Sequence, residues 1–212
     1  MNDQEILKYV DHTLLKPYAT WPEIHKLCEE AIEYRTASVC IPPCFVKRVK
    51  DAYPENLTIC TVIGFPLGYQ TTEVKLAEAL QAMKDGAAEL DMVINLGDAK
   101  SGQFEKITDE IRQMKQLAGS LIVKVIVETC FLSAEEKIAL CKCVTEAGAD
   151  YIKTSTGFGT AGAVLEDIVL FKAHIGPNVK IKASGGIKTK DDMKKFLEAG
   201  CSRLGTSSAI QS

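Results

Sequence analysis

Two lysines of this chain stand in apolar, strand-like runs, where a charged side chain is costly to bury. Lys153 ends the run 151–153, and Lys182 lies inside the run 180–183. A buried ammonium loses its hydration, and a second cation nearby disfavours the charge further, so both effects lower the pKa of a lysine. A neutral lysine is a nucleophile that forms a Schiff base with a carbonyl compound. The pair therefore predicts covalent chemistry on an aldehyde or a ketone.

Further charged residues occur in similar apolar runs. Asp91 lies in the run 89–95, Lys124 in the run 122–128, and Asp11 in the run 10–15. Taken singly, each has a structural explanation, because a lysine at a strand end can extend into solvent and a buried carboxylate can accept backbone hydrogen bonds. Together they exceed what the stability of a fold requires. We expect them to form a catalytic site in which Asp91 carries protons.

Strand-like runs alternate with helix-periodic segments along the whole chain, which indicates parallel strands joined by helical crossovers. The eight predicted strands are Val10–Leu15, Ser38–Ile41, Thr58–Ile63, Glu89–Ile94, Leu121–Val127, Tyr151–Thr154, Val179–Ala183 and Arg203–Gly205. The predicted helices include Glu73–Lys84, Phe104–Leu117, Glu135–Ala147, Ala163–His174 and Asp191–Glu198. The segment 133–136 has the form of a capping box and marks a helix start.

Three glycines recur at the ends of predicted helices and set the register of the strands that follow. Gly86, Gly148 and Gly200 each suit the left-handed cap of a helix. Five residues beyond them come Asp91, Lys153 and Gly205, respectively. In an eight-stranded barrel, alternate strands contribute to one interior layer, so Asp91 and Lys153 are predicted to face the same space.

Residues 1–212 are therefore predicted to form a single (β/α)₈ TIM-barrel domain of the α/β class. An open, doubly wound sheet is the alternative fold. The few residues after the eighth strand leave room for a final helix of one turn at most, so this helix is expected to be short or missing.

The loops after the seventh and eighth strands carry glycines and hydroxyl groups. Gly185 and Gly186 follow one strand, and Ser207 and Ser208 follow the other. These two loops form the recurrent phosphate site of such barrels, which favours a phosphorylated ligand. The Gly157–Gly162 segment lacks the spacing of a dinucleotide-binding loop and is interpreted as an active-site loop beside Lys153.

Composition narrows the class of protein further. The net charge of -3 gives no general attraction to nucleic acid or to an anionic membrane, and no apolar run is long enough to span a bilayer. The eight cysteines and three histidines show no metal-binding spacing, so we expect a cytoplasmic protein with reduced thiols and no metal site. Cys40 is interpreted as a small buried residue that could also contact substrate.

Eight ordered motifs resemble those of the deoxyribose-phosphate aldolase family. They are Asp11–Lys16, Val39–Pro43, Val62–Gly68, Glu89–Asn95, Lys124–Thr129, Tyr151–Phe158, Lys182–Ile187 and Gly205–Ser208. The resemblance implies a class I aldolase with a (β/α)₈ barrel, a lyase of deoxyribonucleotide catabolism and carbohydrate degradation. Its reaction would be the reversible cleavage of 2-deoxy-D-ribose 5-phosphate to D-glyceraldehyde 3-phosphate and acetaldehyde. The resemblance also implies that no metal or organic cofactor is needed, and it suggests a homodimer or larger homo-oligomer.

The resemblance assigns roles to the residues singled out above. Lys153 would form the Schiff base, while Lys182 would lower the pKa of Lys153 and join Asp91 in proton transfer. The residues expected to bind substrate are Asp11, Cys40, Lys124, Thr154, Thr156, Gly157, Gly185, Gly186, Gly205, Ser207 and Ser208. Two alternatives stay open: a Schiff-base aldolase or transaldolase with another carbonyl donor, and a sugar-phosphate binding protein without catalysis.

Overall fold

The predicted apolar runs become eight parallel strands that close into a barrel in the computed structural model, which describes residues 1–208. Each strand pairs with the next, and the eighth pairs with the first. The strands are β1 (Val10–Thr13), β2 (Ser38–Ile41), β3 (Ile59–Ile63), β4 (Glu89–Val93), β5 (Ile122–Ile126), β6 (Tyr151–Lys153), β7 (Lys180–Ser184) and β8 (Arg203–Thr206). This architecture confirms the predicted TIM barrel and excludes the open sheet.

Helices cover the outside of the barrel. They are α1 (Asp3–Leu7), α2 (Trp21–Tyr34), α3 (Val46–Ala52), α4 (Thr72–Asp85), α5 (Leu96–Lys100), α6 (Phe104–Ala118), α7 (Ala134–Glu146), α8 (Leu165–His174) and α9 (Lys190–Ala199). Short 3₁₀ turns occupy Pro43–Phe45 and Thr129–Phe131. The prediction of a short or missing final helix falls largely on residues 209–212, which lie outside the described residues.

The glycine repeat sets the strand register as predicted. Gly86, Gly148 and Gly200 all have positive φ angles, of 108°, 75° and 124°. Such angles favour glycine, because a Cβ atom would clash with the neighbouring backbone. In each case the next strand begins three residues later, so Asp91 and Lys153 are the third residues of β4 and β6.

Local sequence signals also fix the start of α7. The Ser133 side chain accepts a hydrogen bond from the backbone N–H of Glu136, whose carboxylate accepts one from the backbone of Ser133. This reciprocal pair confirms the predicted capping box. The first strand is shorter than predicted, since β1 ends at Thr13 and Leu15 turns into the mouth of the barrel.

The main apolar core lies between the strands and the surrounding helices. A second, smaller apolar cluster lies inside the barrel and consists of Cys40, Cys60 and Val62. All eight cysteines are free thiols. Within residues 1–208, no helix combines the length and the apolar character needed to cross a membrane.

Candidate active site

Lys153 and Lys182 share one oxygen atom of a buried carboxylate. The ammonium nitrogens of both lysines lie 2.7 Å from Oδ2 of Asp91. Lys153 ends β6 and is the register partner of Lys182 on β7, while Asp91 lies two strands away on β4. All three residues are buried. The structure therefore brings together the three residues predicted to be catalytic.

Lys124 lies on β5, between the strands that carry Asp91 and Lys153. Its ammonium nitrogen is 2.8 Å from Oδ1 of Asp91 and 2.6 Å from Oε2 of Glu89. The thiol of Cys60 is 3.3 Å from the same nitrogen. Lys124 is fully buried and contacts two carboxylates that are themselves almost completely buried, so it offsets part of their charge inside the barrel.

Asp11 connects the lysines to the opposite side of the barrel. Its Oδ2 atom accepts a hydrogen bond from Lys182, and its Oδ1 atom accepts bonds from Ser38 and Arg203. Arg203 also lies 3.0 Å from Glu89. We call these seven ionisable residues the charged cluster: Asp11, Glu89, Asp91, Lys124, Lys153, Lys182 and Arg203.

Opposite charges keep several members of the cluster ionised although they are buried. Burial alone would raise the pKa of Asp91, but the three lysines around it hold that pKa well below its ordinary value. Burial alone would lower the pKa of Lys182, but Asp11 and Asp91 raise it above its ordinary value. Burial likewise lowers the pKa of Lys124, but the neighbouring acidic groups, Asp91 above all, raise it well above its ordinary value. Lys182 and Lys124 therefore remain cations at neutral pH.

Thr154 and Gly205, both predicted to bind substrate, support neighbouring residues of the site. The Thr154 hydroxyl donates to the Ser184 carbonyl, 3.2 Å away, and accepts from the Ser184 N–H. A Cβ atom at Gly205 would lie 3.2 Å from Cε of Lys182. Gly205 thus leaves the space through which the Lys182 side chain reaches Asp91.

A buried carboxylate holds the loop that follows Lys153. The backbone N–H of Thr156 lies 3.1 Å from Oε1 of Glu128, and the Thr156 hydroxyl donates to the same carboxylate. The Thr156 hydroxyl also accepts a hydrogen bond from the N–H of Phe158. Gly157 lies between them with a φ of 88°. Glu128, a residue that sequence reasoning did not single out, therefore shapes this part of the mouth.

A cavity of about 310 Å³ opens at the carboxyl ends of β6, β7, β8 and β1. Six residues predicted to bind substrate line it: Thr156, Gly157, Gly185, Gly186, Ser207 and Ser208. Gly185 and Gly186 have φ angles of 81° and 77°, and their backbone N–H groups have no acceptor within residues 1–208. Successive free N–H groups in such a turn are suited to an anion.

Two lysines on this cavity escaped the sequence analysis. Lys16 follows β1 and Lys188 follows β7, and both side chains are exposed at the rim. Each lies within or directly beside a segment already singled out. The sequence signal that could have identified these lysines was their position shortly after a predicted strand end. Their charges add cationic partners for an anion held by Gly185 and Gly186.

The other side of the mouth is apolar. A cavity of about 320 Å³ is lined by Leu15, Val62, Phe65 and Phe158, among others. The rings of Phe65 and Phe158 meet edge to face with their centroids 5.4 Å apart. Cys40 packs beneath this side with Cys60 and Val62 and is fully buried, with its thiol near the Asp91 carboxylate. This side limits the access of water to the charged cluster.

A closed (β/α)₈ barrel with ionisable groups gathered inside it and polar loops at its carboxyl end has the architecture of a TIM-barrel enzyme. The sequence model described as "DeoC/LacD family aldolase" matches residues 5–209. The chain belongs to this family of aldolases.

Close relatives match along nearly the whole chain. A deoxyribose-phosphate aldolase of Clostridium botulinum (strain Alaska E43 / Type E3) is 63% identical over 210 residues, which cover 99% of this chain and 95% of the relative. One from Clostridioides difficile (strain 630) is 55% identical over 205 residues, with 97% and 94% covered.

Solved structures agree with the fold. That of a putative deoxyribose-phosphate aldolase from Coccidioides immitis superposes with a TM-score of 0.96 at 40% identity, covering 100% of this chain and 85% of that one. The structure of the Aeropyrum pernix enzyme, described as a unique tetramer, has a TM-score of 0.92 at 33% identity, with 99% and 89% covered.

Proposed function

We propose that this chain is a class I aldolase that reversibly cleaves 2-deoxy-D-ribose 5-phosphate to D-glyceraldehyde 3-phosphate and acetaldehyde. The observation that carries the proposal is the contact of Lys153 with Asp91 and, through the same oxygen, with Lys182. A lysine in this position has a proton acceptor and a second cation beside it, as Schiff-base chemistry needs. The relatives named above support this substrate.

Catalysis begins with attack of the neutral Lys153 amine on C1 of the open-chain sugar. Loss of water gives an iminium, which is an electron sink for the bond between C2 and C3. A base removes the C3 hydroxyl proton, the bond breaks, and glyceraldehyde 3-phosphate leaves. The remaining enamine takes up a proton at C2, and water then releases acetaldehyde from Lys153. Asp91 and Lys182, in mutual contact at 2.7 Å, transfer these protons.

The phosphate group binds in the cavity at the ends of β6, β7 and β8. The N–H groups of Gly185 and Gly186 and the side chains of Lys16 and Lys188 supply its donors. Ser207 and Ser208 line the same space. Asp11 and Lys124 contribute by fixing the charges of Lys182 and Asp91. Cys40 borders the site from beneath the apolar side of the mouth.

Reductive trapping tests the covalent step. Incubation with deoxyribose 5-phosphate and borohydride should add the mass of one reduced adduct at Lys153, located by peptide mass spectrometry. Lys153→Ala is the matched control and should show no adduct. If the parent protein also shows none, the chain binds sugar phosphates without Schiff-base catalysis. An adduct without release of acetaldehyde would instead indicate an aldolase with another carbonyl donor.

We also propose that residues 1–212 act as one catalytic domain and that copies of the chain assemble into a homodimer or a larger homo-oligomer. The tetrameric relative from Aeropyrum pernix supports assembly. The eight free thiols fit a reducing compartment, and we propose the cytoplasm. Light scattering on the purified protein measures the number of copies directly, and a monomeric mass would refute the assembly.

A further inference from the structure

Six side chains of the charged cluster form a closed ring in which the sign of the charge alternates. In order, the ring runs through Asp91, Lys182, Asp11, Arg203, Glu89 and Lys124, and it returns to Asp91. The contacts along it are 2.7, 2.5, 2.6, 3.0, 2.6 and 2.8 Å long. We call these six residues the alternating ring.

The alternating ring is electrically neutral when its members are ionised, because it holds three carboxylates and three cations. Lys153 lies outside the ring. It contacts the ring only at Oδ2 of Asp91, an oxygen that already accepts a hydrogen bond from Lys182. An ammonium at Lys153 is therefore a seventh charge beside six that balance one another, and it contacts one carboxylate where each cation of the ring contacts two or more.

Arg203 and Glu89 complete this balance from the amino-terminal ends of their strands. Arg203 is the first residue of β8, and Glu89 is the first residue of β4. Lys153, by contrast, is the last residue of β6. Without the Arg203 charge, Asp11 and Glu89 would leave the ring with a net negative charge, which stabilises an ammonium at Lys153.

We propose that Arg203 and Glu89 are positioning residues that set the protonation of Lys153 by keeping the alternating ring neutral. This inference rests on the proposed function, since it concerns the lysine that forms the Schiff base. It also assigns a catalytic influence to the barrel floor, where charged residues ordinarily serve stability alone.

A purely structural role for Arg203 is the competing explanation. Its guanidinium lies over the ring of Tyr151, 5.7 Å from the centroid, and Tyr151 begins the strand that ends in Lys153. Loss of Arg203 could therefore loosen β6 through lost packing. Packing and charge are separable, because a charge effect changes sign with the sign of the charge removed, whereas a packing effect does not.

Other ionisable groups lie near Lys153, and they are unchanged in the ring variants described below. The hydrogen bond with Cys60 lowers the pKa of Cys40, while burial raises the pKa of Cys60. The Glu128 carboxylate is held by Thr156 in the loop after β6. Repeating the measurements with Cys40→Ala in every background removes the thiol whose pKa is lowered, so that a remaining shift does not come from Cys40.

The test compares four variants, of which two change the ring charge and two keep it neutral. Arg203→Met makes the ring net negative, and Glu89→Gln makes it net positive. The double variant Arg203→Met/Glu89→Gln and the single variant Arg203→Lys both keep it neutral. For each, the rate of reductive trapping of acetaldehyde with cyanoborohydride is measured against pH by peptide mass spectrometry, which separates the adduct at Lys153 from adducts at exposed lysines.

We expect the pH midpoint of trapping to rise by about one unit in Arg203→Met and to fall by about one unit in Glu89→Gln, a tenfold change in reactive lysine at a fixed pH. The double variant and Arg203→Lys should return to the parent midpoint. Equal midpoints in all variants, or shifts in one direction that grow with loss of thermal stability, would overturn the inference. If Arg203→Met does not fold, a fall of the trapping midpoint in Glu89→Gln still supports the charge effect, and an unchanged midpoint contradicts it. No trapping in the parent protein at any pH would refute the proposed function instead.

Discussion

Lys153 and Lys182 have the same side chain and touch the same oxygen, yet their surroundings differ. Lys182 contacts two carboxylates, those of Asp11 and Asp91, and it is fully buried. Lys153 contacts Asp91 alone, and it is 3% exposed at the mouth. Asp11 and Asp91 raise the pKa of Lys182 although burial lowers it, whereas Lys153 has a single carboxylate oxygen as its partner and shares it with Lys182. The two lysines therefore cannot exchange roles.

Removing Lys153 should abolish chemistry without harming the fold. Lys153→Ala deletes the nucleophile but leaves the alternating ring neutral, and Asp91 keeps Lys124 and Lys182 as charged partners. We expect kcat for deoxyribose 5-phosphate cleavage to fall by about 10⁴-fold or more, with a melting temperature no lower than that of the parent. Steady-state kinetics and calorimetry measure the two effects. Lys180→Ala, which removes an exposed lysine from the start of β7, should keep full activity.

Removing Lys182 should harm both stability and catalysis. Lys182→Met leaves Asp11 and Asp91 with one cation fewer in a buried site, a loss of about 3–5 kcal/mol in the free energy of unfolding. The added negative balance near Lys153 should also shift the acid limb of the kcat/KM profile to higher pH. Denaturant titration and a pH–rate series check these results. Lys182→Arg keeps the charge and should restore most of the stability, and an unshifted acid limb in Lys182→Met would contradict the assigned role.

At the scale of elements, the strands were easier to predict than the loops. Strands such as β3 and β5 are buried along almost their whole length, so each appears in the sequence as an apolar run with one polar residue, Thr61 or Lys124. The glycines at 86, 148 and 200 then gave the register, because a positive φ at a helix end has a residue preference. Lys16 and Lys188 follow strand ends, which places them near the mouth, but they were missed because nothing in a loop sequence indicates which way an exposed lysine turns.

The lysines in the loops after β1 and β7 should contribute to binding of the phosphate group and not to the bond cleavage itself. Lys188→Ala removes a rim cation from the cavity that contains Gly185 and Gly186, and Lys16→Ala removes the other. A charge-assisted hydrogen bond contributes about 1.5–3 kcal/mol, so each change should raise KM for deoxyribose 5-phosphate by about 10- to 100-fold. The control is unphosphorylated deoxyribose, whose cleavage should be unchanged. An equal loss with both sugars would contradict the phosphate assignment.

At the scale of the whole molecule, the barrel brings together residues that are far apart in the chain. Asp11 and Arg203 are 192 positions apart and form a hydrogen bond of 2.6 Å. Glu89 and Arg203 begin their strands, where a charged residue usually faces solvent, so the sequence carried no sign that they belong to the site. Asp91, Lys153 and Lys182 were predictable because each lies within or at the end of an apolar run. The closure of the ring depends on barrel geometry and could only be seen in the structure.

The ionised state of the charged cluster sets the pH range in which the whole barrel is stable. The lysines hold the pKa values of Asp11 and Asp91 below their ordinary range although burial opposes this, so the stability that these carboxylates contribute is present above about pH 4. As pH falls below that value, the unfolded chain takes up protons that the folded chain does not, and stability is lost. Lys124 and Lys182 have raised pKa values despite burial, so their contribution is present below about pH 10 and is lost above it.

We therefore expect a nearly constant melting temperature between these limits and a steep loss below about pH 4, where the carboxylates of the unfolded chain become protonated. Differential scanning calorimetry across pH measures both limbs. Glu135→Gln, which changes an exposed carboxylate in the first turn of α7, should leave the acid limb almost unchanged. Asp11→Asn removes one buried titration and should make the acid limb shallower, at the cost of a lower maximum, because Lys182 and Arg203 lose a partner. An acid limb as steep as that of the parent would show that surface carboxylates, and not the charged cluster, determine acid stability.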